Sequence, residues 1–123
     1  MRRATDPGTA RVSQIAAHWR VTPPTARRIL RGAGLAAVGD GWERYRWVDL
    51  WRLEGAGYVP PCDYADFKAP LLTPAELPAR DAEGRAARTM RRYLSTGRLP
   101  TIRLSASVVR IRACDFDTAI PYV

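Results

Sequence analysis

The chain has 123 residues, with 20 Lys+Arg against 12 Asp+Glu and a formal net charge of +8. Nineteen of the basic residues are Arg and Lys68 is the one Lys, a surplus that points to a polyanionic partner. Hydrophobic residues at 46% exclude wholesale disorder, and no apolar run approaches the roughly 18 residues of a membrane span.

The basic N-terminus, with Arg2 and Arg3, lacks the apolar stretch of a secretory signal, and residues 1–10 are expected to be a flexible arm. Ser13 is expected to cap a first helix with Ile15, Ala16 and Trp19 inward and His18 exposed. A tight turn at Arg20 follows. Thr22-Pro23 then starts a second helix, since a hydroxyl caps it and Pro costs nothing at the first position. That helix runs to about Arg31 with Ala26, Ile29 and Leu30 inward, and Gly32 and Gly34 are expected to end it in left-handed conformations. Val38 and Arg44-Tyr45-Arg46-Trp47 predict a hairpin turning at Gly39-Asp40-Gly41, followed by a short helix from Val48 that stops at Gly55. Trp19, Trp47 and Trp51 are expected in the core, and Trp42 at the hairpin tip outside it. Residues 56–70 read as a linker that packs through Tyr58, Tyr64 and Phe67.

The second half repeats this plan. Thr25-Ala26-Arg27-Arg28-Ile29-Leu30 aligns with Thr89-Met90-Arg91-Arg92-Tyr93-Leu94 at an offset of 64, which is 62 upstream (Ile15 with Leu77) and 66 downstream (Asp49-Leu50 with Asp115-Phe116). Thr73-Pro74 starts a helix that Pro78 is expected to end early. A second helix spans Ala86 to Ser95 and ends at Gly97. Thr101 to Leu104 and Val108 to Arg112 alternate with period two, as a half-buried hairpin does, and Asp115 to Ile120 gives a closing turn of helix. Both halves are basic: up to Pro61 there are ten basic and five acidic residues (+5), beyond it ten and seven (+3).

Helix, tight turn, helix and a two-stranded wing resemble the compact excisionase and MerR-type family of winged helix-turn-helix proteins. The likeness rests on Ile15 to Thr25 at ten-residue spacing, Thr73-Pro74-Ala75-Glu76-Leu77, Thr96-Gly97-Arg98-Leu99-Pro100 and Arg110-Ile111-Arg112. It covers about 11–54 and 71–120. Arg20 departs from the glycine common in the family's turn, and Pro78–Arg85 replaces the apolar second half of the first helix. The resemblance implies an α+β, mainly α, chain of tandem winged helix-turn-helix units at 11–55 and 71–123, each with short helices and a two-stranded β-hairpin wing. It further implies an excisionase-like architectural factor or small transcription regulator of a phage or mobile element.

The expected DNA-facing residues follow from the helix and strand faces. On the first unit's second helix they are Pro24, Thr25, Arg27, Arg28 and Arg31, opposite the apolar stripe, where Arg can bond guanine O6 and N7. The second unit offers Arg88, Thr89, Arg91 and Arg92. The wings add Arg44 and Arg46 in one and Arg103, Arg110 and Arg112 in the other, ribbons suited to the phosphate backbone. Cys62 and Cys114 lack metal or redox spacing, and no nucleophile–base pair stands out, so no enzyme activity, metal, cofactor or small-molecule substrate is expected. Double-stranded DNA is the expected partner, with a recombinase or the transcription machinery beyond it, no membrane, and a cytoplasmic, nucleoid-associated location. A winged-helix protein-interaction module and a terminase small-subunit-like DNA-packaging factor stand as alternatives.

Overall fold

The computed structural model describes residues 6–39 and 41–123. The chain is α+β and divides into two compact units, Met1–Ala69 and Pro70–Val123. Arg2, Arg3 and Asp40, named above in the arm and the hairpin turn, lie outside the described residues.

The first unit opens with β1 (Thr9–Arg11), α1 (Val12–Trp19) and α2 (Pro23–Gly32), followed by β2 (Arg44–Arg46), α3 (Trp47–Leu53) and α4 (Tyr64–Lys68). Residues 9–10 are therefore strand, not arm. β1 pairs antiparallel with β2, and Ala10, opposite Tyr45, is buried with it. A three-residue strand has no helical or long alternating signature, so only its partner reveals it. Arg11, not Ser13, caps α1, and the Gln14 side-chain oxygen accepts from the Arg11 N–H at 2.8 Å. The α2 cap is as expected: the Thr22 hydroxyl accepts from the Thr25 N–H, with Pro23 next. Gly34 takes a left-handed φ of 73°, while Gly32 remains inside the helix.

Ile15, Ala16 and Trp19 of α1, Ala26, Ile29 and Leu30 of α2, and Trp47, Leu50 and Trp51 of α3 form the buried interior of this unit. His18 is buried too, 3% exposed, where an exposed helix position was expected. The physical reason is long-range. Glu54, just past α3, is buried; it accepts from Trp19 Nε1 and is hydrogen-bonded to His18 Nε2, each at 2.8 Å. The Lys68 carbonyl takes His18 Nδ1 at 3.2 Å. That carbonyl only accepts, so Nδ1 is a donor, and one proton holds the contact between Nε2 and Glu54. The segment expected as a packed linker is part of this unit. Tyr64 and Phe67 lie 5.4 and 6.0 Å from the Trp51 ring, and Trp51 Nε1 donates to the Phe67 carbonyl at 3.0 Å.

The second unit comprises α5 (Leu77–Arg80), α6 (Ala87–Ser95), β3 (Ile102–Arg103), β4 (Val109–Arg110) and α7 (Ala113–Ala119), with 3₁₀ turns at Pro74–Glu76 and Ile120–Tyr122. The Glu76 carboxylate accepts from the Thr73 N–H at 2.8 Å. Pro78 does not end a helix: it sits in the first turn of α5, where no N–H is required of it. The end comes at Asp81. Leu77, Met90, Tyr93, Leu94, Leu99, Ile111 and Phe116 make one buried cluster.

The internal repeat holds in three dimensions. Ala26, Ile29 and Leu30 of α2 are matched inward by Met90, Tyr93 and Leu94 of α6, at the offset of 64. The strand pairings repeat as well: Ala10 with Tyr45 corresponds to the Leu72–Ile111 bridge, and the Val38–Arg44 bridge to Ile102 with Arg110. Arg20, with φ 60°, and Gly84, with φ 64°, hold the same left-handed turn three residues before α2 and α6. An L side chain there costs about 1–2 kcal/mol, and in the second unit glycine removes that strain.

Asp81 anchors this second turn. Its carboxylate accepts from the Glu83 and Arg85 N–H groups at 3.1 and 2.9 Å and pairs with the Arg85 guanidinium at 2.9 Å. Burial acts to raise the Asp81 carboxyl, but these bonds together outweigh it and the net displacement is downward. The Arg80 guanidinium, bonded to Asp117 at 2.7 and 2.8 Å, holds that carboxyl down as well. A carboxyl lowered on folding stabilises above its unfolded value, near 3.9, and loses that contribution as pH falls through the folded value. Urea unfolding of the wild type is therefore expected to show the second unit weakening below about pH 4. Asp81→Asn should lower stability at pH 7 by about 1–3 kcal/mol and flatten this acid limb. An unchanged limb would refute the assignment.

Candidate nucleic-acid interface

The outer face of α2 is basic because its inner face is taken by the apolar stripe at i, i+3, i+4. Pro24, Arg27, Arg28 and Arg31 are exposed and Thr25 is half-buried. The Arg28 guanidinium donates to the Thr25 hydroxyl at 3.3 Å, which orients it across the first turn. Arg27 is engaged differently. Its Nε lies 3.7 Å from Glu43, a carboxylate that also accepts from the Tyr45 hydroxyl at 2.6 Å. Burial, with this bond and the Glu43 charge, pushes the Tyr45 phenol up to about 12. Folding thus brings an acidic side chain to a helix face that carries none of its own.

The β1–β2 ribbon places Arg11 directly opposite Arg44. Cross-strand partners share a face, so Arg11, Arg44 and Arg46 point one way while Ala10 and Tyr45 point into the core. Like charges facing across a strand pair are destabilising in isolation. The sequence offers Arg11, with Arg2 and Arg3, as part of a basic arm reaching a groove or as a frayed terminus; instead it stands in a strand whose partner is far away in sequence.

In the second unit Arg88, Arg91 and Arg92 are exposed on α6 and Thr89 is half-buried. Among the described residues no carboxylate lies in ion-pair range of these three arginines. Arg91, Leu94 and Ser95 of α6 line a groove of about 360 Å³ together with Arg103, Ser107, Val109 and Arg110 of the hairpin and Pro74. Three arginines from three elements therefore border a largely apolar groove, with Arg110 Nη1 donating to the Val109 carbonyl at 2.8 Å.

Three of the expected hairpin placements are corrected. Register sets Val109 opposite Arg103 and Arg110 opposite Ile102, so Val109 is half-buried on Arg103's face and not inward, and Arg110 is half-buried on Ile102's face and not on Arg103's outer one. Beyond Arg110 the strand changes partner: Ile111 bridges to Leu72, which breaks the simple alternation. Arg112 follows at the cap of α7, 5% exposed, with Nη1 at 3.3 Å from Asp115. It is a buried structural arginine and leaves the set of groove-facing residues. Its counterpart at the offset of 66, Arg46, caps α3 from an exposed position, so equivalent sequence positions diverge here.

Among the described residues no helix is long and apolar enough to cross a membrane, and no group of three or more His, Cys, Asp or Glu is placed to hold a metal ion. The described architecture defines an α+β protein with two units, each presenting an arginine-rich helix beside an arginine-bearing strand ribbon. No protein-family model matches the chain, and no curated protein or solved structure matches it either.

Proposed function

We propose that the chain is a sequence-specific double-stranded-DNA-binding protein made of two tandem winged helix-turn-helix units. It acts as an excisionase-like architectural factor or a small transcription regulator, by binding and not by catalysis. The observation that carries this reading is the groove between α6 and its hairpin, which Arg91, Arg103 and Arg110 border. A guanidinium is weakly hydrated and forks its donors, which suits bidentate phosphate and guanine contacts. The largely apolar groove suits a deoxyribose beside a seated phosphate. In the first unit the corresponding elements are α2, with Arg28 and Arg31, and the ribbon with Arg44 and Arg46. The helices would enter the major groove and the wings follow the backbone. A recombinase or the transcription apparatus would then act on the DNA so bound.

The test is fluorescence anisotropy of labelled duplexes, one random and one selected for binding. Arg28→Ala is expected to weaken the selected duplex by about 1–3 kcal/mol and to relax preference at one base position. Arg91→Ala, in the groove, should weaken all duplexes alike, as a phosphate contact does. Absence of saturable binding to any duplex would overturn the reading.

A further inference from the structure

Trp42 is the one tryptophan whose environment the core does not explain. Trp19, Trp47 and Trp51 are all buried, whereas Trp42 is 69% exposed. It is not a stray apolar residue on a neutral surface. The Arg11 guanidinium lies over its ring, 5.4 Å from the centroid. Arg11 in turn stands opposite Arg44 on the outward face of the β1–β2 ribbon, which Arg46 extends. The indole therefore sits at the end of a row of arginines, with the Arg11 guanidinium near one face and most of the ring open to solvent. Gly39 and Gly41, with φ of 82° and 84°, turn the chain just before it.

We propose that Trp42 is a base-contacting residue, whose indole stacks against an unstacked base step of duplex DNA while Arg11, Arg44 and Arg46 hold the flanking phosphates. This rests on the DNA-binding reading above and extends it to one apolar contact. The chemistry fits each part. A π-face accepts any base, and a cation held over an aromatic ring supplies charge without closing the ring's other side. Apolar wedges at a basic ribbon act in the minor groove, partly unstacking a step and kinking the duplex. A like-charged cross-strand pair such as Arg11–Arg44 is relieved when a polyanion lies across it.

The experiment compares wild type, Trp42→Phe and Trp42→Ala on an end-labelled duplex, reading affinity by anisotropy and bending by energy transfer between the ends. Circular dichroism should show all three folded alike, since the side chain is exposed. Trp42→Ala is expected to lose 5- to 150-fold in affinity and most of the bend, and Trp42→Phe to keep a large part of both. The emission difference between wild type and Trp42→Phe isolates Trp42, and duplex DNA should quench it. If wild type binds duplex and Trp42→Ala binds it equally, without quenching, the proposal is overturned and the DNA-binding reading stands. A preference for single strands with no bending of duplex would also overturn it. If wild type binds no DNA, the function proposed above fails and this contact with it.

Discussion

Glu54→Ala is expected to destabilise the first unit by about 3–5 kcal/mol. The carboxyl group is buried, and its Oε2 accepts from Trp19 Nε1 and is hydrogen-bonded to His18 Nε2, each at 2.8 Å. Removing it strands the indole N–H and the imidazole Nε2 where water does not reach, and each keeps its full desolvation cost. A small domain has only about 5–15 kcal/mol in total, so much of the population should unfold at modest urea. All four tryptophans fall in this unit, so tryptophan fluorescence reports its unfolding separately from the second unit, which has none. Glu54→Gln should cost less, since an amide oxygen still accepts from the indole. A loss below about 1 kcal/mol for Glu54→Ala would refute the account of the cluster. The same cluster ties α1 to the 56–68 segment through the Lys68 carbonyl, so the mutant should also loosen α4 in hydrogen exchange.

The second large effect is expected in binding. DNA affinity should fall linearly with salt on a log–log scale, with a slope of about −0.9 per phosphate neutralised. Contacts to 6–10 phosphates would cost about 10³–10⁵ in affinity between 50 and 200 mM salt. The arginines available for this include Arg11, Arg28, Arg31, Arg44 and Arg46 in one unit and Arg88, Arg91, Arg92, Arg103 and Arg110 in the other. Arg103→Ala should reduce the slope by about one if that residue seats a phosphate. Arg112→Ala should leave the slope unchanged and act on stability, because its guanidinium is buried against Asp115. A flat salt response would refute binding to a polyanion. A slope that disappears when the second-unit arginines alone are removed would show that only this unit reads DNA.

Much of the helical part was legible because its signals are local. Thr22-Pro23 starts α2, the stripes of α2 and α6 bury the residues that periodicity assigns, and the left-handed turn falls on Arg20. Arg20 departs from the usual glycine, yet the backbone there still adopts φ 60°. Helix faces follow from a 3.6-residue period, and the outward arginines of α2 and α6 come with them. The order of the two units was legible as well, since Thr, Arg, Arg and Leu recur at a constant offset.

Strand partners and buried polar contacts needed the folded chain. β1 exists because β2, more than thirty residues later, supplies its hydrogen bonds. His18 is buried because Glu54 and Lys68 come to it from 36 and 50 residues away, which no local pattern records. Arg112 shares its spacing with Arg46, and the residue before each makes the equivalent strand bridge, yet Arg112 is buried with its guanidinium on Asp115 while Arg46 stays outside. The sequence by itself therefore determined the surplus of charge, the two-fold repeat and the faces of the helices, all properties of neighbours along the chain. Tertiary structure alone decided which arginines keep their charge at the surface, because a strand's face is set by the partner it pairs with.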